Sequence, residues 1–333
     1  MRLENKGETA AAGSREACGT TSGARLAGLT RAMQLGATLY MPVVHPAIPA
    51  FAGGLKPWPA RSVVLCLEDA LHVADLDAGL DALRALLAQL SNRPAERPML
   101  FIRPRNLEMA RHLSDLPGIG EVAGFVAPKV GLNDLEGWLK LAQATALRLM
   151  PTLERGWVFD PVALSEFGDA VVAGSADRLI ALRIGGNDLL AALALRRQKR
   201  ETIYEGPLLS ALSQAMCQLG ARGLPLTAPV FDFIDDAETL AREAKRDASF
   251  GFVGKTAIHP CQIGVIEGSF RVAATELEQA REILDAEAAA VFRQDGAMAE
   301  PATHRAWAER MVARAAAYGI IDAQAAVTPR LAL

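Results

Sequence analysis

One recurrence limits what this chain can fold into more than any other feature. Eight short runs of β-branched or apolar residues, each closed by Pro, Gly or a charge, follow one another, most of them separated by segments of helical spacing. In order they read ATLYMP, SVVLCLED, MLFIRPR, GFVAPK, LRLMPTLE, LIALRIGGND, LTAPVFD and SFGFVGKT. Near-continuous apolar runs belong to strands covered on both faces, and strands that alternate with helices build parallel sheets. Eight such units predict a closed (β/α)8 TIM barrel. An open doubly wound sheet has the same periodicity, because spacing alone does not report closure.

The segments between the runs carry helix signals. DLDAGLDALRALLAQL places Leu76, Leu80, Leu83, Leu87 and Leu90 on one face, with Asp75 positioned to cap its start. DDAETLAREAKRDASF opens on Asp235 and Asp236 and carries its basic residues later, which suits the helix dipole. After residue 270 the pattern changes to two helical segments, TELEQAREILDAEAAAVFRQ and PATHRAWAERMVARAAAYG, joined by DGAMAE. Trp307, Met311 and Tyr318 exceed what a lone surface helix needs, so these extra C-terminal helices are expected to dock on the barrel or on a neighbouring subunit. The first 24 residues are rich in Ala, Gly, Ser and Thr without periodicity and predict a disordered tail. The expected organisation is therefore a tail over 1–24, a barrel over 25–270 and a helical extension over 271–333.

Composition narrows the classes of function. The 333 residues carry 35 basic and 38 acidic side chains for a net charge of -3, which gives no global attraction to nucleic acid or to an anionic membrane. Cys18, Cys66, Cys217 and Cys261 are dispersed, with no zinc or redox spacing, and no apolar stretch reaches membrane-spanning length. The expectation is a cytoplasmic protein that binds neither nucleic acid nor membrane and acts on a small molecule.

Barrels of this kind place their chemistry where strands end. Here those ends hold His45, Glu68 and Asp69, Arg103 with Arg105 and Asn106, Lys129, Glu154 with Arg155, Asn187 and Asp188, Asp232, and Lys255 with His259. Glu154 and Asp188 end consecutive runs, so in a barrel they face one mouth; two converging carboxylates are the minimal protein share of a Mg²⁺ site, and surface salt bridges are the bland alternative. Arg103 suits a substrate carboxylate or an enolate oxygen, or else a structural ion pair with Glu68, Asp69 or Glu154. Lys129 fits a cation beside an anionic substrate, a Schiff-base amine of depressed pKa, or an ordinary solvated lysine. The cluster Arg196, Arg197, Lys199 and Arg200 reads either as an anion anchor or as a solvated helix end, and His259 either as a helix cap or as part of the site. Gly185 and Gly186 lack dinucleotide-binding spacing and are read as leaving room for metal and substrate beside the backbone. Gly254-Lys255-Thr256 is not a P-loop, since Ser249 stands where the first glycine belongs.

Taken in order, VVLCLEDA, FIRPRN, GFVAPKV, MPTLERG, LRIGGNDLL and FVGKTAIHPCQIGVIEGSF resemble the segments of the HpcH/HpaI aldolase and citrate lyase β-subunit superfamily, and most of all its divergent C–C bond lyase branch. The likeness covers roughly residues 37–275 and the C-terminal helices. It implies a TIM barrel, a Mg²⁺-dependent (or Mn²⁺-dependent) carbon–carbon lyase acting on a small carboxylate, and a homo-oligomer, a trimer or a multiple of one. Residue by residue, Glu154 and Asp188 match the metal ligands and Arg103 the substrate-contacting arginine, while Glu68 and Asp69 match acids near the catalytic centre. The expected site thus has Arg103, Glu68, Asp69 and Lys129 as catalytic groups, with Arg103, Arg105, Gly185, Gly186, Asn187, Arg196, Arg197 and His259 toward substrate. Where better-known members carry Pro-Gly and a lysine for coenzyme A, this chain reads MPVVHPAIPAFAGG, which argues against a CoA thioester. A barrel that binds a metabolite or partner without catalysis is the reading from another class.

Overall fold

A computed structural model of the chain describes residue 23 and residues 26–92, 97–175, 177–294 and 296–321. The predicted tail and the last twelve positions of the extension lie outside the described residues. After a helix α1 over 26–33, eight parallel strands form one sheet: β1 (Ala37–Pro42), β2 (Ser62–Cys66), β3 (Met99–Arg103), β4 (Gly124–Ala127), β5 (Arg148–Leu153), β6 (Leu182–Ile184), β7 (Leu226–Thr227) and β8 (Lys255–Ala257). Their order runs from β7 through β6 down to β1 and on to β8, and a single parallel bridge between Ala228 and Lys255 joins the two ends. The seam is that short because Pro229 has no N–H with which to extend β7. The barrel prediction therefore holds, and the open sheet is excluded by this seam.

Helices cover the outside. The leucine-patterned segment forms α3 (Leu76–Ser91), which buries Leu83, Leu86, Leu87 and Leu90 while Leu76 and Leu80 pack at the margin. Asp75 makes no capping bond to it; instead the His72 ring accepts the Ala74 N–H in the turn just before. Asp236 does cap α9 (Ala237–Phe250), accepting the Thr239 N–H. That helix runs further than the apolar pattern suggests. Ser249 and Phe250, expected at the start of the eighth strand, close α9, and Gly251 at φ +97° ends it with the left-handed cap a glycine supplies. The strand itself begins only at Lys255.

The C-terminal extension is α11 (Ala274–Leu284), which stops ten residues short of the expected helical segment, an antiparallel hairpin of Phe292–Gln294, expected to be helical, with Ala297–Ala299, expected to be loop, and α12 (Pro301–Tyr318). Met311 is buried between the two helices, in a small cluster with Ala280, Ile283, Ala299 and Ala308. Tyr318 docks α12 on the barrel: its hydroxyl donates to the Val253 carbonyl at 2.6 Å and its ring stacks on Phe270. Trp307 stays 37% exposed. Among the described residues no helix is long and apolar enough to cross a membrane.

Candidate active site

The C-terminal ends of the strands enclose a cavity of about 370 Å³. A larger one, about 800 Å³, opens beside Arg61 and Arg97 at the other end of β2 and β3, where barrels of this fold keep stability rather than chemistry. The smaller cavity brings together Glu68, Asp69, Arg103, Glu154, Asn187, Asp188 and Asp232. Consecutive parallel strands put consecutive run ends into one mouth, which is why the strand-end rule collects them.

Arg103, the last residue of β3, organises the floor. Its Nε donates to Glu68 Oε2 at 2.7 Å, Nη1 to Thr152 Oγ1 at 3.2 Å and Nη2 to Glu154 Oε1 at 2.9 Å. Both carboxylates and the guanidinium are buried, so the ion-pair reading of Arg103 describes the resting state. Three of its five N–H groups are engaged in these bonds. Burial alone would lower its pKa, but Tyr40, Glu154 and Glu68 hold the guanidinium above the usual arginine range.

Lys129 follows β4 in a left-handed backbone conformation, φ +50°. That turn aims its N–H at Glu154 Oε1, 2.7 Å away, while its Nζ reaches Glu68 Oε1 at 2.7 Å, Asp69 Oδ2 at 2.9 Å and Asp188 Oδ1 at 3.8 Å. Burial pushes the ammonium down, yet the hydrogen bonds to Glu68 and Asp69 prevail and keep it above the ordinary lysine range. A Schiff-base amine needs the opposite shift, so the resting arrangement, with Nζ held by Glu68 and Asp69, gives the covalent reading of Lys129 no support. Asp69, despite its own burial, is held below the ordinary aspartate range by the same ammonium.

Glu154 is raised: burial is the main cause, opposed by Arg103 and reinforced by the charges of Asp188 and Glu68. Its Oε1 takes both hydrogen bonds, and among the described residues Oε2 takes none. Asp188 stands in the first turn of α7 (Gly186–Ala192), a little beyond the end of β6, with its side chain 36% exposed. Five acids line the cavity, and only three cations, Arg103, Arg183 and Lys129, face them. The surplus of two negative charges, all on oxygen ligands, fits a hard divalent cation such as Mg²⁺. Glu154 Oε2 and the Asp188 carboxylate take no strong hydrogen bond among the described residues, and neither do Asp69 Oδ1 and Asp232 Oδ2, whose partner oxygens are held by Lys129 and Asn187.

Other expected members lie elsewhere. The Arg105 guanidinium donates to the Leu71 carbonyl and does not line the cavity. Arg197 is buried behind the barrel, gripped by Glu243 and by the Val230 carbonyl, and Arg196 lies with it on a separate cavity of about 190 Å³. His259 accepts the Cys261 N–H just before α10 (Cys261–Ser269), whose N-cap position is Pro260, and does not line the site. Lys255 faces outward from β8 into α9 and is fully buried. Gly185 and Gly186 do line the cavity, but the space each leaves is filled by protein: a Cβ on Gly185 would stand 2.4 Å from Glu154, and one on Gly186 2.8 Å from Pro229. Asn187 donates to Asp232 at 3.0 Å.

The strand-end rule missed Tyr40, Thr152, Arg183 and Thr256, which line the cavity from inside the strands. One signal was available: Arg183 interrupts an apolar run, and a charge inside a buried strand needs a reason.

Comparison with known proteins agrees with this architecture. The family model described as C–C bond lyase of the TIM-barrel fold matches residues 29–320. The L-malyl-CoA/beta-methylmalyl-CoA lyase of Cereibacter sphaeroides is 29% identical over 223 residues, 60% of this chain and 70% of that protein. A (3S)-malyl-CoA thioesterase of the same organism is 27% identical over 226 residues, 66% of this chain and 73% of the other. The crystal structure of CitE from Mycobacterium tuberculosis, in complex with magnesium, acetoacetate and coenzyme A, is similar in fold, with a TM-score of 0.63 at 24% identity over 84% of this chain and 98% of that one.

Proposed function

The chain belongs to the C–C bond lyases of the TIM-barrel fold, and from that premise we propose that it breaks or forms a carbon–carbon bond in a small oxo-acid or related carboxylate by aldol or Claisen chemistry, with Mg²⁺ held by Glu154 and Asp188. The observation that carries the reading is the surplus of carboxylates in one cavity, with Glu154 Oε2 left open beside Asp188. Mg²⁺ bound there would supply a Lewis acid to a substrate oxygen. A structural neighbour solved with magnesium supports that choice of ion.

The remaining work falls to the chain's own residues. Arg103 keeps two N–H groups beyond its three bonds and points a fixed positive charge at the place where an enolate develops, a stabilisation worth most as the bond breaks. Lys129 retains its proton and adds positive charge at the rim. Proton movement is assigned to Glu68 or Asp69, which the Lys129 ammonium bridges. The curated relatives are named for CoA thioesters; the altered segment after β1 supports a free acid for this chain, which thermal shift with and without coenzyme A would check. A homo-oligomer is part of the same proposal, measurable by light scattering.

The deciding experiment is calorimetric titration with Mg²⁺. The native chain should bind, and Asp188→Ala should lose at least about tenfold in affinity, the scale of one charge-assisted contact. Equal binding by both would overturn the metal assignment. Loss of turnover on chelation, with no trapping by borohydride, would agree with the absence of a lysine adduct.

A further inference from the structure

Five cations are buried among the described residues: Arg103, Arg183, Arg197, Arg314 and Lys255. Four of them lie within 4 Å of a carboxylate, Arg103 on Glu68 and Glu154, Arg197 and Lys255 on Glu243, and Arg314 on Glu276. Arg183 is the exception. It lies in the middle of β6, 1% exposed, and no described acid pairs with it. Uncharged groups hold its guanidinium: Nη1 lies 3.4 Å from Thr38 Oγ1 and 3.9 Å from Met150 Sδ, Nη2 donates to Thr256 Oγ1, and the Tyr40 ring centre is 5.1 Å from Cζ.

A guanidinium removed from water without an anion is costly, and arginine does not escape the cost by losing its proton. A second unspent group stands beside it. Thr227 is the register partner of Arg183 on β7, so its side chain faces the same side of the sheet; it is fully buried and its hydroxyl has no hydrogen-bond partner. These groups adjoin the cavity already described, which Arg183, Tyr40 and Thr256 line together with Glu154 and Asp188. The cavity thus runs from half-exposed acids at its rim to an uncompensated cation in its wall. The other two cations are already paired, Arg103 with Glu68 and Glu154, and Lys129 with Asp69 and the same Glu68.

We propose that Arg183 binds a second carboxylate of the substrate, which makes the substrate a short dicarboxylic acid with one end at the Glu154–Asp188 mouth and the other on Arg183. The Thr256 hydroxyl, which lines the same cavity, completes that second end, with Thr38 and Thr227 buried behind it. At about 370 Å³ the cavity is of a size that suits small ligands. The inference rests on the reading of this cavity as the substrate site and narrows it to a substrate class.

The test compares oxo-acids matched in length that differ only in the distal carboxylate: oxaloacetate with 2-oxobutyrate, 2-oxoglutarate with 2-oxovalerate, and 2-oxoadipate with 2-oxohexanoate. Each is titrated calorimetrically into the full chain with Mg²⁺ present, and Mg²⁺ is also titrated alone. At least one dicarboxylate should bind about tenfold or more tightly than its partner, as one charge-assisted pair predicts. Arg183→Gln should abolish that preference, and Arg183→Lys should restore part of it, an order a purely structural role would not produce. Native protein that prefers no dicarboxylate, or an Arg183→Gln chain that keeps the preference, overturns the proposal. If Arg183→Gln melts early, the Arg183→Lys ratio and the native ratio still decide. The titration of Mg²⁺ alone separates the two readings: its failure counts against the metal site, whereas a missing dicarboxylate preference with intact Mg²⁺ binding counts against Arg183 alone.

Discussion

Two buried ion networks use the same ingredients to opposite ends. Behind the barrel, Glu243 and Asp247 of α9 meet Lys255 and Arg197: Lys255 Nζ donates to Glu243 at 2.7 Å and to Asp247 at 2.8 Å, Arg197 grips both oxygens of Glu243, and the Tyr204 hydroxyl fills the last oxygen of Asp247 at 2.6 Å. Two acids face two cations, and all four carboxylate oxygens are engaged. At the mouth, acids outnumber cations and one oxygen of the most buried carboxylate is open. A closed network fastens a helix to a strand; an open one keeps a charge deficit that an incoming ion or substrate relieves.

The comparison breaks most easily at the back. Lys255→Met should destabilise the fold by about 3–5 kcal/mol, because it strands two buried carboxylates, and urea denaturation would read the loss. A smaller effect follows from Asp247, which burial pushes up to about 6 against the pull of Lys255. An acid whose folded pKa is raised binds more protons folded than unfolded between about pH 4 and pH 6, so its share of stability falls as pH rises through that window, by on the order of 2 kcal/mol. Asp247→Asn should flatten this part of the stability profile measured by denaturation at pH 4.5 and 7. Glu243 behaves in the opposite sense: despite its burial, Lys255 and Arg197 hold it below the ordinary glutamate range, so its contribution is lost only as pH falls through that lowered value.

Gly185→Ala connects stability to the site. Its Cβ would stand 2.4 Å from Glu154, so about 1–3 kcal/mol of overpacking should come with weakened Mg²⁺ binding, while Gly186→Ala, which meets Pro229 and Ile203, should cost stability alone. The smallest change in stability, under about 1 kcal/mol, is expected for Asp188→Ala, since that side chain is 36% exposed and its ion pair with Lys129 spans 3.8 Å. The same variant should show the largest change in Mg²⁺ affinity, and a melting curve beside the titration would separate the two. A mouth variant as destabilising as Lys255→Met would erase the distinction between the networks.

Much of this was legible without coordinates. Apolar runs on a βα rhythm specify strands covered on both faces, and the rule that chemistry sits at strand ends located Glu68, Arg103, Lys129, Glu154 and Asp188, because chain direction alone carries a parallel strand's end to the mouth. What the order of residues does not carry is which way a charged side chain turns. Lys255 and Thr256 are neighbours, yet the first faces α9 and the second the cavity, since successive side chains of a strand point to opposite faces. The apolar run placed that strand several residues early, so its facing could not be read. By sequence Arg197 reads as an anion anchor or a solvated helix end, while the strand-end rule passes over Arg183 inside its apolar run, and only the positions of Glu243 and Thr256 make the first a structural clamp and the second a wall of the cavity. The sequence by itself determined the barrel and the carboxylates at its mouth, because both follow from local periodicity and direction. The tertiary structure decided which cations are already neutralised, because charge compensation is a property of neighbours far apart in the chain.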